Sequence, residues 1–88
     1  MNFQVRWSHE AIDELTTAWM NADQQKRRAI TAAADQIDIA LQATPDNEGE
    51  SRATDQRIFM RAPLGVLFEV DGPNRVVTVN QAWVFRTH

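Results

Sequence analysis

Residues 56–85 read QRIFMRAPLGVLFEVDGPNRVVTVNQAWVF, and their alternation decides the fold class. Gln56, Ile58, Met60 and Ala62 alternate with Arg57, Phe59 and Arg61 until Pro63 breaks the run. Leu64, Val66, Phe68 and Val70 then alternate with Gly65, Leu67, Glu69 and Asp71. A period of two puts successive side chains on opposite faces of a strand, so each set belongs to one face of a sheet. The cluster Asp71-Gly72-Pro73-Asn74 supplies turn residues between antiparallel neighbours. Val76 to Phe85 makes the last strand. Plain alternation there puts Val77, Val79, Trp83 and Phe85 on one face, with Thr78, Asn80, Ala82 and Val84 on the other.

Upstream, Phe3, Val5 and Trp7 alternate with Gln4 and Arg6, which predicts a first strand. Ser8 reads as the cap of a helix that begins with Glu10, Asp13 and Glu14. Ile12, Leu15 and Trp19, with Ala11 and Ala18, form its apolar face, and it ends around 20–22. Asp23 caps a second helix over about residues 24–43, Ala-rich and striped by Ile30, Ala33, Ala34, Ile37 and Leu41. Lys26, Arg27 and Arg28 crowd its first turn, against the helix dipole. Residues 45–54 have loop composition. The order β-α-α-β-β-β predicts an α+β fold: a helical hairpin packed on one face of a mainly antiparallel four-stranded sheet.

Eighty-eight residues suit a single domain over 1–88, with no room for a separate cofactor domain. The absence of Cys removes disulfides, thiolate metal sites and cysteine nucleophiles. Neither a signal peptide nor a membrane-spanning run is present, which leads to the expectation of a cytoplasmic protein without a membrane partner. The net charge of −3 conceals an asymmetry. Residues 1–50 carry four basic against nine acidic side chains, a balance of −5, and residues 51–88 carry five Arg against three acids, +2. Arginine suits flat, bidentate contact with phosphate or carboxylate.

Arg57, Phe59 and Arg61 share one strand face, a ladder able to hold two phosphates and stack a base. The same residues also fit ordinary packing opposite Glu69. With the arginines directed outward, Ile58 and Met60 are expected beneath Ile37 and Leu41. Arg52 sits in the loop, Arg75 follows the turn, and Arg86 and His88 close the chain. His88 is a candidate proton shuttle. His9 and His88 stand far apart in sequence, and no acidic or His cluster has metal-ligand spacing. No cofactor is implied. Of Trp7, Trp19 and Trp83, one exposed on a sheet face would make a partner anchor.

Taken along nearly its whole length, the chain resembles the RelE/ParE superfamily of bacterial type II toxin–antitoxin toxins, the plasmid-stabilisation type. The resemblance rests on Phe3-Gln4-Val5-Arg6-Trp7-Ser8 leading into Ala11-Ile12-Asp13-Glu14-Leu15, and on Ile37-Asp38-Ile39-Ala40-Leu41 followed by the loop from Pro45 to Arg52. It continues in Arg57-Ile58-Phe59, in residues 64–71 and in Arg75-Val76-Val77-Thr78-Val79. It implies a cognate antitoxin as partner and one of two actions. RelE-like members cleave messenger RNA on the ribosome without metal; ParE-like members act on DNA gyrase.

The residues divide between these actions. RelE-type enzymes carry Arg before the aliphatic-aliphatic-aromatic segment, whereas Val66-Leu67-Phe68 is preceded here by Gly65. The chain has no Tyr, and His88 lies past the matching end of the last strand. Metal-free cleavage needs a proton acceptor, a donor and positive charge at the phosphorane. Arg57, Arg61 and Arg52 supply only the last, so the sequence favours action by binding. Two alternatives stand beside it: a metal-free endoribonuclease using Arg57, Arg61 and His88, and a non-toxic, self-associating homodimer of the same fold.

Overall fold

A computed structural model describes residues 2–45, the backbone of 50–51, and residues 56–85. Strand β1 (Gln4–Trp7) runs into helix α1 (His9–Met20), which is followed by α2 (Gln24–Ala43). The two-residue strand β2 (Glu50–Ser51) precedes β3 (Gln56–Arg61), β4 (Leu64–Asp71) and β5 (Val76–Val84). The sheet order is β1-β5-β4-β3-β2, with β1 parallel to β5 and every other pair antiparallel. This is the expected four-stranded mixed sheet under a helical hairpin, with the short β2 added at one edge.

Each helix starts where a side chain satisfies free backbone N–H groups. Ser8 Oγ accepts from Ala11 N at 3.1 Å, and Asp23 Oδ1 accepts from Lys26 N at 2.8 Å. The basic first turn of α2 also has a structural role. Arg27 donates from Nε to Trp19 O at 2.9 Å and from Nη2 to Met20 O at 3.1 Å. Its guanidinium lies 4.4 Å from the centre of the Trp19 ring. A cation placed on the last carbonyls of α1 complements that helix's dipole, which offsets its adverse position at the start of α2.

The core lies between the hairpin and one sheet face. Ile30, Ala33, Ile37 and Leu41 of α2 meet Phe59, Leu64, Val66, Phe68, Val77 and Val79, all buried. The expected stripe of α2 is correct. That of α1 is rotated: Ala11 is fully buried, whereas Ile12 and Trp19 are 47% and 40% exposed. Small residues at 11 and 18 let α1 lie close against β5, so the larger residues beside them move to the flank.

Two facial assignments differ from simple alternation. In β3 the buried residue is Phe59, while Met60 is 47% exposed. Phe59 pairs with Val66, Arg57 with Phe68 and Arg61 with Leu64, all three partners being core residues. Arg57 and Arg61 therefore stand on the helix-covered side, and Ile58 and Met60 on the open side, the reverse of the expected register. Burying one phenyl ring in mid-strand outweighs directing two arginines outward. On that side Arg57 is half-buried and Arg61 exposed, as a long arginine stem can cover apolar surface while its head stays in water.

In β5, Phe68 pairs with Val79 but Leu67 with Gln81, so Asn80 is an extra residue, a β-bulge. Beyond it the parity inverts, which puts Ala82 in the core and Trp83 on the open face. Helix α1 holds this irregularity. Ser8 N donates to Val79 O at 2.8 Å, Ser8 Oγ donates to Asn80 O at 3.2 Å, and Glu14 Oε1 accepts from Ala82 N at 3.1 Å. β1 has ended at Trp7, so these contacts replace the strand partner that β5 lacks there.

Candidate interaction face of the sheet

The face of the sheet turned away from the helices is apolar at its centre. Register places Ile58 beside Leu67, and Met60 beside Gly65, which in turn pairs with Trp83; Leu67 pairs with Gln81. A Cβ built on Gly65 would lie 2.6 Å from both Cε2 and Nε1 of Trp83 and 2.7 Å from Met60 Sδ. The missing side chain at 65 is thus what lets the indole and the thioether lie down over the strand. Sulfur against an aromatic edge is a favourable contact in its own right. Polar residues frame this patch: Gln56 Nε2 donates to Glu69 Oε1 at 3.2 Å, and Thr78 pairs with both Glu69 and Arg6. An apolar centre with a polar rim is the anatomy of a protein-binding surface, with Trp83 in the anchor role.

The candidate cations do not gather on this face. Arg61 lies over the Phe59 ring at 5.6 Å, on the helix side of β3. Arg75 lies over the Phe3 ring at the same distance, near the opposite end of the sheet. Its backbone adopts φ 54°, a left-handed conformation unusual for a residue other than glycine. There its carbonyl accepts from Gln4 N at 2.9 Å, tying the turn to β1. Arg6, on β1, is the cation that register assigns to the open side. Arg52, Arg86 and His88 lie outside the described residues. His9 is exposed on α1, with Nε2 3.3 Å from Asp13. Among the described residues, no three His, Cys, Asp or Glu side chains come together as a metal site.

The other tryptophans serve the fold. Trp7 Nε1 donates to Asp38 Oδ1 at 3.2 Å, and Trp19 carries Arg27. Alternation alone put Trp83 with the core set; only the bulge at Asn80 brings it to the open face. The one local signal was Gly65 inside an otherwise apolar strand, since such a glycine often marks a close approach. A separate groove of about 810 Å³ lies on the helix side, between the hairpin's turn and the end of the sheet. Ala18, Ala22, Ile30, Pro63, Val84 and Phe85 line most of it.

No protein-family model and no curated protein sequence matches the chain. Solved structures do. A chain of the toxin–antitoxin complex RelBE2 from Mycobacterium tuberculosis superposes with a TM-score of 0.78 at 15% identity, covering 96% of this chain and 92% of that one. A chain of the chromosomal ParDE toxin–antitoxin system from P. aeruginosa gives 0.72 at 16% identity, covering 96% and 97%. The chain has a RelE/ParE-like fold. At these identities the likeness extends to the backbone and its topology, and the RelE/ParE-like frame leaves its side chains to specify what it binds. No helix among the described residues is long and apolar enough to cross a membrane.

Proposed function

We propose that the chain is the toxin-like member of a bacterial type II toxin–antitoxin pair, a single cytoplasmic domain that acts by binding rather than by cutting RNA. Its partner is a cognate antitoxin, and its target is a protein surface of the kind DNA gyrase offers to ParE-like toxins. The observation that carries this reading is the open face of the sheet. Ile58, Met60, Leu67 and Trp83 make it an apolar platform, while Arg57 and Arg61 stand on the opposite side. Phosphodiester cleavage would need converging positive charge and a proton-transfer pair. Protein docking needs an anchored apolar patch, which is what this face offers. The groove lined by Ala22, Ile30 and Phe85 offers the antitoxin's segment a recess of its own.

The test is induction of the chain in a bacterial host, with and without the product of an adjacent small reading frame. Growth arrest relieved by that product is expected, with ribosome-bound messages left intact and DNA supercoiling altered. Trp83→Ser should relieve the arrest without loss of folded protein. Cleaved messages that disappear with Arg61→Ala would replace this reading with the ribonuclease.

A further inference from the structure

We infer that the outer face of α2 is a self-complementary surface that pairs two copies of this chain about a two-fold axis. Gln24, Arg28, Thr31, Ala32, Asp35 and Ile39 are spaced by three or four residues, fall on one side of the helix and are all exposed. Ile39 is 66% exposed, a large aliphatic side chain standing on the face opposite the core. Trp19, Gln24, Arg27 and Arg28, with Thr31, Ala32 and Asp35 further along, line an open hollow of about 650 Å³ on the N-terminal side of the same face. Knob and hollow are thus present on one copy, the hollow running from Gln24 to Asp35 and the knob following one turn later.

Their spacing fits a two-fold. Arg28 and Asp35 are equidistant from a point between Thr31 and Ala32, and so are Gln24 and Ile39. Laying α2 antiparallel on a second α2 about that point brings each Arg28 opposite the other copy's Asp35. It also directs each Ile39 into the hollow beside Gln24 and Trp19. An isologous contact requires this reciprocity, residue i meeting j while j meets i. Thr31 and Ala32 at the crossing are small enough to allow close approach of the two backbones. Among the described residues, neither Arg28 nor Asp35 forms an ion pair within its own chain. The pairing does not involve the open sheet face and is independent of what binds there.

The contact runs about 22 Å along α2, fifteen rises of about 1.5 Å from Gln24 to Ile39. That is small for a specific interface, so the dimer should form in the range of about 10–100 µM. Sedimentation of the purified full chain over a concentration series measures it. Ile39→Asp should weaken association about 100-fold, and Arg28→Asp or Asp35→Arg about tenfold each, because like charges then meet twice. The double reversal Arg28→Asp/Asp35→Arg should return the dissociation constant to within about threefold of the original. All these positions are exposed, and circular dichroism checks that the variants keep their helices. A chain that stays monomeric up to about 1 mM, or a dimer indifferent to Ile39→Asp, would overturn the inference. So would a double reversal no better than its parents.

Discussion

The two faces of the sheet are built from the same three strands and have opposite characters. On the helix side, Leu64, Val66, Phe68, Val77 and Val79 are fully buried. On the other side, Met60 is half exposed, and Ile58, Leu67 and Trp83 are only partly covered. Both centres are apolar. What separates them is the helical hairpin, which covers one and leaves the other to meet a partner. Hydrophobicity along a strand therefore identifies two surfaces, and burial alone says which of them stabilises the monomer.

Deleting a core side chain should give the largest effect. Phe68 is fully buried between Arg57 and Val79 on the neighbouring strands. Phe68→Ala should cost about 3–5 kcal/mol in urea unfolding. Native domains carry roughly 5–15 kcal/mol in all, so the variant is expected near the edge of folding. A loss below about 1 kcal/mol would mean that the two faces do not differ in the way burial indicates.

On the open face the sensitive position is the one without a side chain. Gly65→Ala puts a methyl group 2.6 Å from the Trp83 ring and 2.7 Å from Met60 Sδ. The indole must turn off the strand, at about 1–3 kcal/mol. The Trp83 indole resonance should shift with the loss of stability, and Met60→Ala in the same chain should recover part of it. An unchanged resonance would show that the indole does not lie over Gly65.

The bulge at Asn80 links the two faces, because it turns Trp83 outward and Ala82 inward. Glu14→Ala removes the acceptor for the buried Ala82 N–H and should cost about 1 kcal/mol or slightly more. Glu14→Gln keeps an acceptor oxygen and should recover most of that. Equal losses in both variants would assign the effect to charge rather than to the hydrogen bond.

These cases also mark how far the sequence could be read. Both helices, their caps at Ser8 and Asp23, and the strands after Pro63 and Asn74 were legible, because capping and turn chemistry are local. The facing of β3 was not. Arg-Ile-Phe-Met-Arg alternates equally well in either sense, and the choice falls to whether Phe59 fits against α2, a contact more than fifteen residues away in sequence. The bulge was hidden for a related reason. The single extra residue at Asn80 has no turn-forming partner, and the groups that stabilise it, on Ser8 and Glu14, come from the other end of the chain. The candidate site inherited both errors: the arginine ladder moved to the covered side, and Trp83, grouped with the core strand face, became the centre of the open one.

The smallest effect on stability should accompany a large effect on binding. Leu67 lies on the open face between Ile58 and Gln81 and is half-buried within the monomer. Leu67→Thr introduces a β-branched residue suited to a strand, which offsets part of the lost apolar contact, so unfolding should change by no more than about 0.5 kcal/mol. A partner docked on Ile58, Met60, Leu67 and Trp83 would bury that side chain completely. Losing its methyl groups and leaving a hydroxyl against an apolar surface should weaken the complex about tenfold or more. Measured together, Phe68→Ala and Leu67→Thr probe adjacent residues on opposite faces. The first should bring the chain near the edge of folding without removing any contact side chain, and the second should spare the fold while loosening the complex. If Leu67→Thr left growth arrest intact, the open face would be solvated surface, and the groove beside Ala22 and Phe85 would become the leading contact site for the target as well.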